Sequence, residues 1–261
     1  MIISLKNKNA LVGGSSGGLG KAIAQQLAAS GANVTLMARN EEKLKRAISE
    51  LSTTEGQQHQ YLVADFSDLE SFKKVVAGYF ENNAIEILVN NTNGPKAGSV
   101  LEKTPADYAH AFDMLFQTVQ FTSSLALKGM RENKYGRIIN LTSRTVKEPV
   151  ETLALSNTIR AAVTTWGKTL ATAVAKDNIT VNNILTGNFD TERLKQLFQL
   201  QADDKGISLE RVYKQSEASI PMGRLGRPQE MADFVTFLAS EQASYITGTS
   251  IAIDGGLIKS L

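Results

Sequence analysis

The sequence lacks cysteine altogether and contains two histidines, one tryptophan and five prolines. Without cysteine there is no disulfide and no thiolate for catalysis or metal binding. The two histidines, His59 and His110, are too few for a histidine-rich zinc centre, so we expect no metal site. A large charge of one sign is also missing, because 28 Lys and Arg against 26 Asp and Glu leave a net charge of +2. That balance argues against a nucleic-acid partner.

Long apolar runs are missing too. No segment approaches the roughly 20 apolar residues that span a bilayer. The N-terminal segment MIISLKNK is too short and too polar for a signal peptide. We therefore expect a cytoplasmic protein with no membrane partner. The chain has 261 residues, 42% of them hydrophobic, with no Pro/Gly/Ser-rich linker and no repeat, which predicts a single domain over residues 1–261.

Short β-branched or apolar segments alternate with longer segments of helical period along the chain. The predicted strands are residues 9–13, 33–38, 60–64, 85–90, 137–142, 179–185 and 249–254. The predicted helices are residues 18–29, 41–51, 68–80, 105–131 and 153–176. This alternation is typical of parallel strands joined by right-handed crossovers. We predict an α/β, single-domain Rossmann fold: a doubly wound, seven-stranded parallel sheet with helices on both faces.

One stretch interrupts the alternation after the sixth predicted strand. Between Thr191 and Pro221 the sequence is polar and helix-compatible, with no strand. Ligands of open α/β sheets bind outside the carboxyl ends of the strands. We therefore expect residues 188–222 to form a substrate lid. The alternative is a solvated helical excursion with no gating role.

A glycine-rich turn joins the first predicted strand to the first predicted helix, at residues 13–20. The backbone N–H groups of such a turn and the positive end of the helix dipole bind a pyrophosphate. The strand before it and the helix after it make a dinucleotide site the better interpretation than a turn that serves packing alone. The loop residues expected to contact the cofactor are Gly14, Ser16, Gly18, Leu19 and Gly20.

The end of the second predicted strand indicates which dinucleotide binds. An acidic residue there would bind the ribose hydroxyls of NAD, whereas an arginine accommodates a 2′-phosphate. Ala38 occupies the acidic position and Arg39 follows it. We therefore expect NADP(H) in preference to NAD(H), with Arg39 on the phosphate. The alternative is a surface arginine paired to Glu41 or Glu42.

The spacing Gly14-x-x-x-Gly18-x-Gly20 resembles that of the short-chain dehydrogenase/reductase family, whose loop usually has Thr where this chain has Gly13. The resemblance extends over nearly the whole chain. The other segments that carry it are Asp65 in VADF, Asn90-Asn91, Ser143, residues 187–191, residues 221–230 and the closing residues 245–256. It implies a reductase or dehydrogenase that moves a hydride between a nicotinamide and a carbonyl carbon.

The resemblance also implies where the cofactor lies. Asp65, followed by Phe66, corresponds to the adenine end, and Asn90 to the adenosine ribose. Gly187 and Thr191, at the two ends of the segment after the sixth strand, correspond to the nicotinamide amide and the phosphates. Each of these residues has an alternative interpretation as a cap at the end of its strand, for which Asp is well suited.

The sequence departs from the family at the catalytic positions. The family uses a Ser, a Tyr with a Lys four residues later, and an Asn in the preceding long helix. Ser143 is retained, but Ser156 stands at the Tyr position, Arg160 at the Lys position and Leu115 at the Asn position. Residues four apart share one face of a helix, so both Ser156 and Arg160 are expected to face the cofactor. The candidate catalytic residues are Ser143, Ser156 and Arg160.

The chemistry at these positions differs from that of the family. The hydroxyl of Ser156 is far less acidic than that of Tyr, and Arg160 stays protonated. Arg160 is therefore expected to hold the nicotinamide ribose or an acidic group of the substrate. General acid catalysis contributes about 10²- to 10⁴-fold in rate, so its loss leaves a slow or chemically different reductase possible. A second source of the proton is Tyr213, swinging over the site from the insertion.

Two functions follow from these observations. The first is an NADP(H)-dependent oxidoreductase of a divergent, 3-oxoacyl-[acyl-carrier-protein] reductase-like subgroup, acting on a small carbonyl or alcohol. The second is a catalytically impaired NADP(H)-binding sensor or assembly subunit, which the joint loss of Tyr, Lys and Asn favours. The family resemblance further implies a homotetramer or homodimer. Trp166, on the helix predicted over 153–176, is a candidate for the subunit contact or for the core.

Overall fold

The computed structural model describes residues 2–260. Its parallel sheet has the order β3-β2-β1-β4-β5-β6-β7. The strands are β1 (Asn9–Gly13), β2 (Asn33–Ala38), β3 (Gln60–Val63), β4 (Ile87–Asn90), β5 (Gly136–Leu141), β6 (Ile179–Thr186) and β7 (Ser250–Ile253). Their ends lie within two residues of the predicted ones, and the prediction of a doubly wound, seven-stranded parallel sheet is confirmed.

Helices connect the strands and continue after β6. They are α1 (Gly18–Ala29), α2 (Glu41–Ile48), α3 (Leu69–Phe80), α4 (Pro105–Phe112), α5 (Thr118–Glu132), α6 (Ala154–Val174), α7 (Glu192–Lys205), α8 (Leu209–Ser219) and α9 (Pro228–Leu238). The helix predicted over 105–131 is interrupted by a π-helical segment, Asp113–Gln117. Among the described residues, no helix is both long enough and apolar enough to cross a membrane.

The core has two layers because successive strand residues point to opposite faces of the sheet. In β1, the side chains of Ala10 and Val12 pack into a cluster that also contains residues of α1, α2 and α9. The side chain between them, Leu11, packs into a second cluster with residues of α3, α5 and α6. Helices therefore cover both faces, as predicted, and the carboxyl ends of the strands are left for the functional site.

The N-terminus of α1 differs from those of its neighbours. Asn40 and Asp68 cap α2 and α3 with side-chain oxygens that accept from the backbone N–H groups of Lys43 and Ser71. The residue before α1 is Gly17, which has no side chain to cap it, and the first turn of α1 contains no acidic residue. The first-turn amides of α1 therefore have no side-chain partner, and the positive end of its dipole is not neutralised.

Candidate active site

The glycines of the loop after β1 are required by close packing. Gly14 has φ +56°, a conformation that favours glycine. A Cβ on Gly20 would collide with the carbonyl oxygen of Gly14. The loop is also fixed from β4, because Asn91 donates from Nδ2 to the Gly13 carbonyl oxygen over 3.0 Å. A side chain at these glycines would displace the backbone that the sequence predicts to bind the pyrophosphate.

A serine that the sequence analysis missed fixes the same loop to β2. Ser15 is fully buried, donates to the Val12 carbonyl oxygen over 2.8 Å and accepts from the Met37 N–H over 2.9 Å. The predicted loop residues Ser16 and Leu19 lie half-buried on either side of exposed Gly17 and Gly18. Ser15 and Ser16 are neighbours in the same short motif, so the sequence does not indicate which of the two is buried. The tertiary structure shows that it is Ser15.

The segment after β6 lies against the glycine-rich loop after β1, residues 13–20. The Cβ of Thr191 lies 3.8 Å from the point where a Cβ on Gly18 would be. Thr191 also caps α7, accepting from the Leu194 N–H over 3.3 Å. At the other end of the segment, a Cβ on Gly187 would lie 2.7 Å from the Cβ of Asp254. Gly187 is thus required by the close approach of the chain after β7.

The region predicted to bind the adenine end of the cofactor combines an exposed cation with a half-buried carboxylate. Arg39 is exposed and forms no ion pair within residues 2–260. The two acidic residues considered as its partners, Glu41 and Glu42, pair instead with Lys45 at 3.2 and 3.1 Å. The guanidinium of Arg39 therefore remains available to a phosphate, as the NADP(H) prediction requires.

Asp65 caps the turn that follows it. One oxygen, Oδ1, accepts from the Ser67 N–H over 2.9 Å and from the Ser67 hydroxyl over 2.7 Å. These hydrogen bonds, the backbone one above all, lower the pKa of Asp65, and the charge of Arg39 adds to the effect. Phe66 packs its ring against that of Phe72, with 5.0 Å between the centroids. Asp65 therefore acts as a cap through Oδ1, as in the alternative interpretation.

Asn90 belongs to a ladder of amides inside the sheet. Its Nδ2 donates to Asn140 Oδ1 over 2.8 Å and to the Ser123 hydroxyl over 3.1 Å. Asn140 in turn donates to Asn183 Oδ1 over 3.0 Å. The three asparagines are paired in register across β4, β5 and β6. The Nδ2 group of Asn90 is thus engaged within the sheet. It is therefore not available for the predicted contact with a ribose.

Ser143 follows β5 and presents a hydroxyl. Its Oγ accepts from the Thr145 N–H over 3.2 Å and from the Thr145 hydroxyl over 3.0 Å, so that it caps a short turn over residues 144–146. Both lone pairs of the Ser143 oxygen are therefore used. The hydrogen of the Ser143 hydroxyl is not used in these two bonds.

Ser156 and Arg160 are brought together on α6. Arg160 donates from Nε to the Ser156 hydroxyl over 3.2 Å and from Nη1 to the Leu141 carbonyl oxygen over 2.9 Å. The second bond holds the guanidinium at the carboxyl end of β5, two residues before Ser143. Positions 156 and 160 thus share one face of α6, as their spacing of four residues predicts.

The charge of Arg160 is destabilised by its surroundings. Burial, together with a smaller repulsion from Arg193, lowers the pKa of Arg160 to about 10. The guanidinium is still protonated near neutral pH. Arg193, on the first turn of α7, was missed by the sequence analysis. The available signal was a cation in the first turn of a helix, where the dipole disfavours positive charge.

Leu115 lines a small cavity behind Arg160. The cavity has about 10 Å³ of room for the centre of a water molecule, which is close to the smallest space that holds one water. Thr92, Thr142 and Asn90 supply polar groups to its wall. Leu115 itself belongs to the π-helical segment, a distortion that recurs at functional sites. The position that the family gives to Asn is thus apolar here, and the apolar residues Val119, Leu141 and Val163 line the same cavity.

Tyr213 is held within the insertion. Its ring packs edge-on against Phe198, with 4.9 Å between the centroids, in a cluster that α7 and α8 form with residues after them. His59 is likewise structural, because its Nδ1 accepts from the Val34 N–H over 3.1 Å. Within residues 2–260, no three His, Asp or Glu side chains gather as a metal site would require.

The glycine loop, the crossover topology and the serine after β5 define an oxidoreductase of the Rossmann type. A family model described as enoyl-(acyl carrier protein) reductase matches residues 14–258. A solved structure described as a short chain dehydrogenase/reductase family protein superposes with a TM-score of 0.83 at 27% identity, covering 98% of this chain and 99% of that one. The chain belongs to the short-chain dehydrogenase/reductase family.

Two further relatives are similar over their full length. The NADPH-dependent reductase BacG of Bacillus subtilis is 30% identical over 267 residues, which cover 98% of this chain and 100% of BacG. The L-sorbose reductase of Gluconobacter frateurii, solved with NADPH and L-sorbose, has a TM-score of 0.92 at 30% identity, with 100% of both chains covered. Both relatives are reductases that use NADPH.

Proposed function

We propose that this protein is an NADP(H)-dependent oxidoreductase that transfers a hydride between the nicotinamide and a small carbonyl or alcohol. The observation that carries the proposal is the group of two hydroxyls and a cation at the carboxyl end of β5, formed by Ser143, Ser156 and Arg160. A carbonyl oxygen that gains negative charge is stabilised by such donors. In this catalytic set, Ser-x-x-x-Arg at positions 156–160 replaces the Tyr-x-x-x-Lys of the family. The chain as a whole is similar to the 3-oxoacyl reductases.

The residues present fit the cofactor. A Cβ at Gly20 would fill the space taken by the loop backbone, and the N-terminus of α1 is uncapped. Arg39 is exposed without an ionic partner among the described residues, which suits a 2′-phosphate. The preference for NADP(H) agrees with the NADPH-dependence of BacG and of the L-sorbose reductase. When bound, the nicotinamide supplies or accepts the hydride.

The hydroxyl of Ser143 would polarise the substrate carbonyl. Because Thr145 uses both of its lone pairs, Ser143 acts as a donor. Ser156 accepts from the cation Arg160, and this polarises its own O–H, so that Ser156 is a second donor. Arg160 supplies positive charge near the oxygen and does not need to lose its proton. Orientation and electrostatic stabilisation thus take the place of a tyrosine acid, and the alkoxide that hydride addition leaves would take its proton from solvent water.

The insertion would form a lid over this site, and we propose that it and the sheet make up one domain. Residues 188–222 contain α7 and α8, which have a hydrophobic cluster of their own. The support for a lid is that Thr191 lies against Gly18 of the glycine-rich loop and Arg193 reaches toward Gly94 after β4.

We further propose a homotetramer or homodimer, on the family resemblance and on the half-buried aromatic rings near α6.

Substituting Ser143 tests the reaction. Ser143→Ala should lower kcat about 10²- to 10³-fold, the usual cost of removing one donor to a developing oxyanion. NADPH oxidation against a panel of aldehydes, ketones and oxo acids measures the rate, and fluorescence titration should show that the Kd for NADPH is unchanged. Ser124→Ala, at an exposed position on α5, is the matched control.

The opposite outcome favours the second candidate. The loss of Tyr, Lys and Asn at positions 156, 160 and 115 is the observation that supports a sensor or assembly subunit. If the wild type binds NADPH with micromolar or better affinity and oxidises it with none of the panel, the proposed hydride transfer is wrong and the binding function stands.

A further inference from the structure

Two arginines from different helices reach the chain at the carboxyl ends of the neighbouring strands β4 and β5. Arg160 comes from α6 and is held at the end of β5 by the Leu141 carbonyl oxygen. Arg193 comes from the first turn of α7, and its Nη2 lies 4.0 Å from the point where a Cβ on Gly94 would be. Gly94 follows β4, so the Arg193 side chain reaches from the insertion across to the loop on the other side of the cleft.

Neither guanidinium has a carboxylate partner within the part of the chain that the structure describes. The ion pairs found there involve other arginines, namely Arg131, Arg137, Arg224 and Arg227. Arg160 donates to a carbonyl and to a hydroxyl, both neutral groups. Burial lowers the pKa of Arg160, and the charge of Arg193 adds to the effect. Arg160 is half-buried and Arg193 is exposed, and two like charges near each other are stabilised when an anion binds between them.

The first turn of α7 carries Glu192 beside Arg193, and the Thr191 hydroxyl caps the turn by accepting from the Leu194 N–H. The attraction for an anion at this point therefore comes from the Arg193 guanidinium and not from the helix N-terminus. A planar carboxylate matches the two parallel N–H groups of a guanidinium, so that its binding fixes the orientation of the molecule that carries it.

We propose that the substrate is an oxo acid, whose carboxylate is held between Arg160 and Arg193 while its carbonyl oxygen accepts from Ser143. This assignment rests on the proposed function, because it names the substrate class of that site. It gives Arg193 the role of a substrate-binding residue supplied by the insertion. It also explains an arginine at position 160, since a carboxylate is better matched by a guanidinium than by an ammonium group.

The first measurement compares a carboxylate with its neutral ester. Phenylpyruvate and acetoacetate are each assayed with NADPH beside their methyl esters. The acid should have a kcat/KM about 10- to 100-fold above that of the ester, in keeping with a hydrogen-bonded charge pair. Arg193→Met should remove that preference, mainly through the KM of the acid, and Arg193→Lys should restore part of it. Arg211→Met, an exposed arginine of α8, is the matched control and should change neither substrate.

The second measurement separates the substrate from the cofactor as the source of the anion. In the proposed arrangement, Arg193→Met changes the Kd for NADPH less than about threefold, because the pyrophosphate is held by the loop and the α1 N-terminus. If the Kd for NADPH rises as much as the KM for the acid, Arg193 binds the cofactor and the proposal is wrong. Equal kcat/KM values for acid and ester in the wild type also overturn it.

The third measurement does not depend on turnover. Phenylacetate and phenylacetamide, which carry no ketone or aldehyde, are titrated into the NADPH complex, and the shift in Tm is recorded. Phenylacetate should raise the Tm of the wild type but not of Arg193→Met, and phenylacetamide should raise neither. If no carbonyl compound is reduced but phenylacetate binds in this way, the proposed hydride transfer fails while the anion site stands. If neither compound raises the Tm, the anion site fails.

Discussion

Arg160 shows how one residue sets the chemistry of the site. A lysine at this position would be a point charge able to rotate, whereas the guanidinium is held by two hydrogen bonds in a fixed plane. Burial and Arg193 lower its pKa to about 10, which leaves it charged at neutral pH. Arg160 is therefore suited to bind an anion and to polarise Ser156, and unsuited to shuttle a proton near neutral pH.

The proposed contact of Arg39 with the 2′-phosphate of NADP(H) is also tested at the residue scale. Arg39→Ala should raise the Kd for NADPH about 10- to 100-fold and leave that for NADH unchanged, because a charge-assisted pair with the 2′-phosphate is lost. Fluorescence titration of both cofactors measures this. Arg46→Ala, an exposed arginine on α2, is the control. Tighter binding of NADH than of NADPH by the wild type would contradict the assignment.

At the scale of elements, the junction of the phosphate loop with α1 depends on backbone contact. Gly20 packs against the carbonyl of Gly14, while Gly17 has an extended backbone with φ −177° and no neighbour within 4 Å of a Cβ. Both glycines lie in the same loop. Replacing each by alanine therefore separates the effect of a steric clash from the effect of simply losing a glycine in this loop.

Gly20→Ala should destabilise the protein by about 1–3 kcal/mol, because the methyl group forces the loop backbone to move. The Kd for NADPH should rise at least about tenfold, since a displaced amide loses its hydrogen bond to the pyrophosphate. Urea unfolding and fluorescence titration measure the two effects. Gly17→Ala should leave the free energy of unfolding unchanged or slightly increased. Equal destabilisation by both substitutions would show that the clash at Gly20 is relieved without cost.

The long helix predicted over 105–131 shows why element boundaries are hard to predict. Its apolar periodicity is continuous, and nothing in the local sequence marks the π-helical segment Asp113–Gln117. The extra residue in that turn is accommodated by packing: Leu115 lies in a cluster with Leu155 and Ile159 of α6. A helix distortion of this kind depends on contacts between distant segments.

At the scale of the molecule, the amide ladder joins three central strands through their side chains. Asn90, Asn140 and Asn183 are spaced 50 and 43 residues apart in the chain and are linked by hydrogen bonds. A Cβ on Gly167 of α6 would lie 2.6 Å from Asn183 Oδ1, so the ladder also sets how closely α6 approaches the sheet. It thereby positions the helix that carries Ser156 and Arg160.

The assembly of subunits is tested at Trp166. Its half-buried indole packs edge-on against Phe116, with 6.1 Å between the centroids, beside the stacked ring of Phe112. If these rings form a subunit contact, Trp166→Glu should convert the oligomer to monomers, because an interface does not bury an unpaired carboxylate. Multi-angle light scattering measures the mass, and circular dichroism checks the fold. Gln196→Glu, at an exposed position on α7, makes the same charge change and should leave the mass unaltered. A wild-type monomer would contradict the proposed assembly.

The sequence by itself determined the order of strands and helices, the glycine loop and the loss of Tyr and Lys at the catalytic positions. Strand and helix periods, glycine spacing and residue identity are local properties, and they are readable along the chain. Only the tertiary structure decided that Arg193 approaches Gly94, that Asn90 is engaged within the sheet, and that Tyr213 packs inside the insertion. Those contacts join residues from distant parts of the chain, and their geometry depends on how whole elements pack.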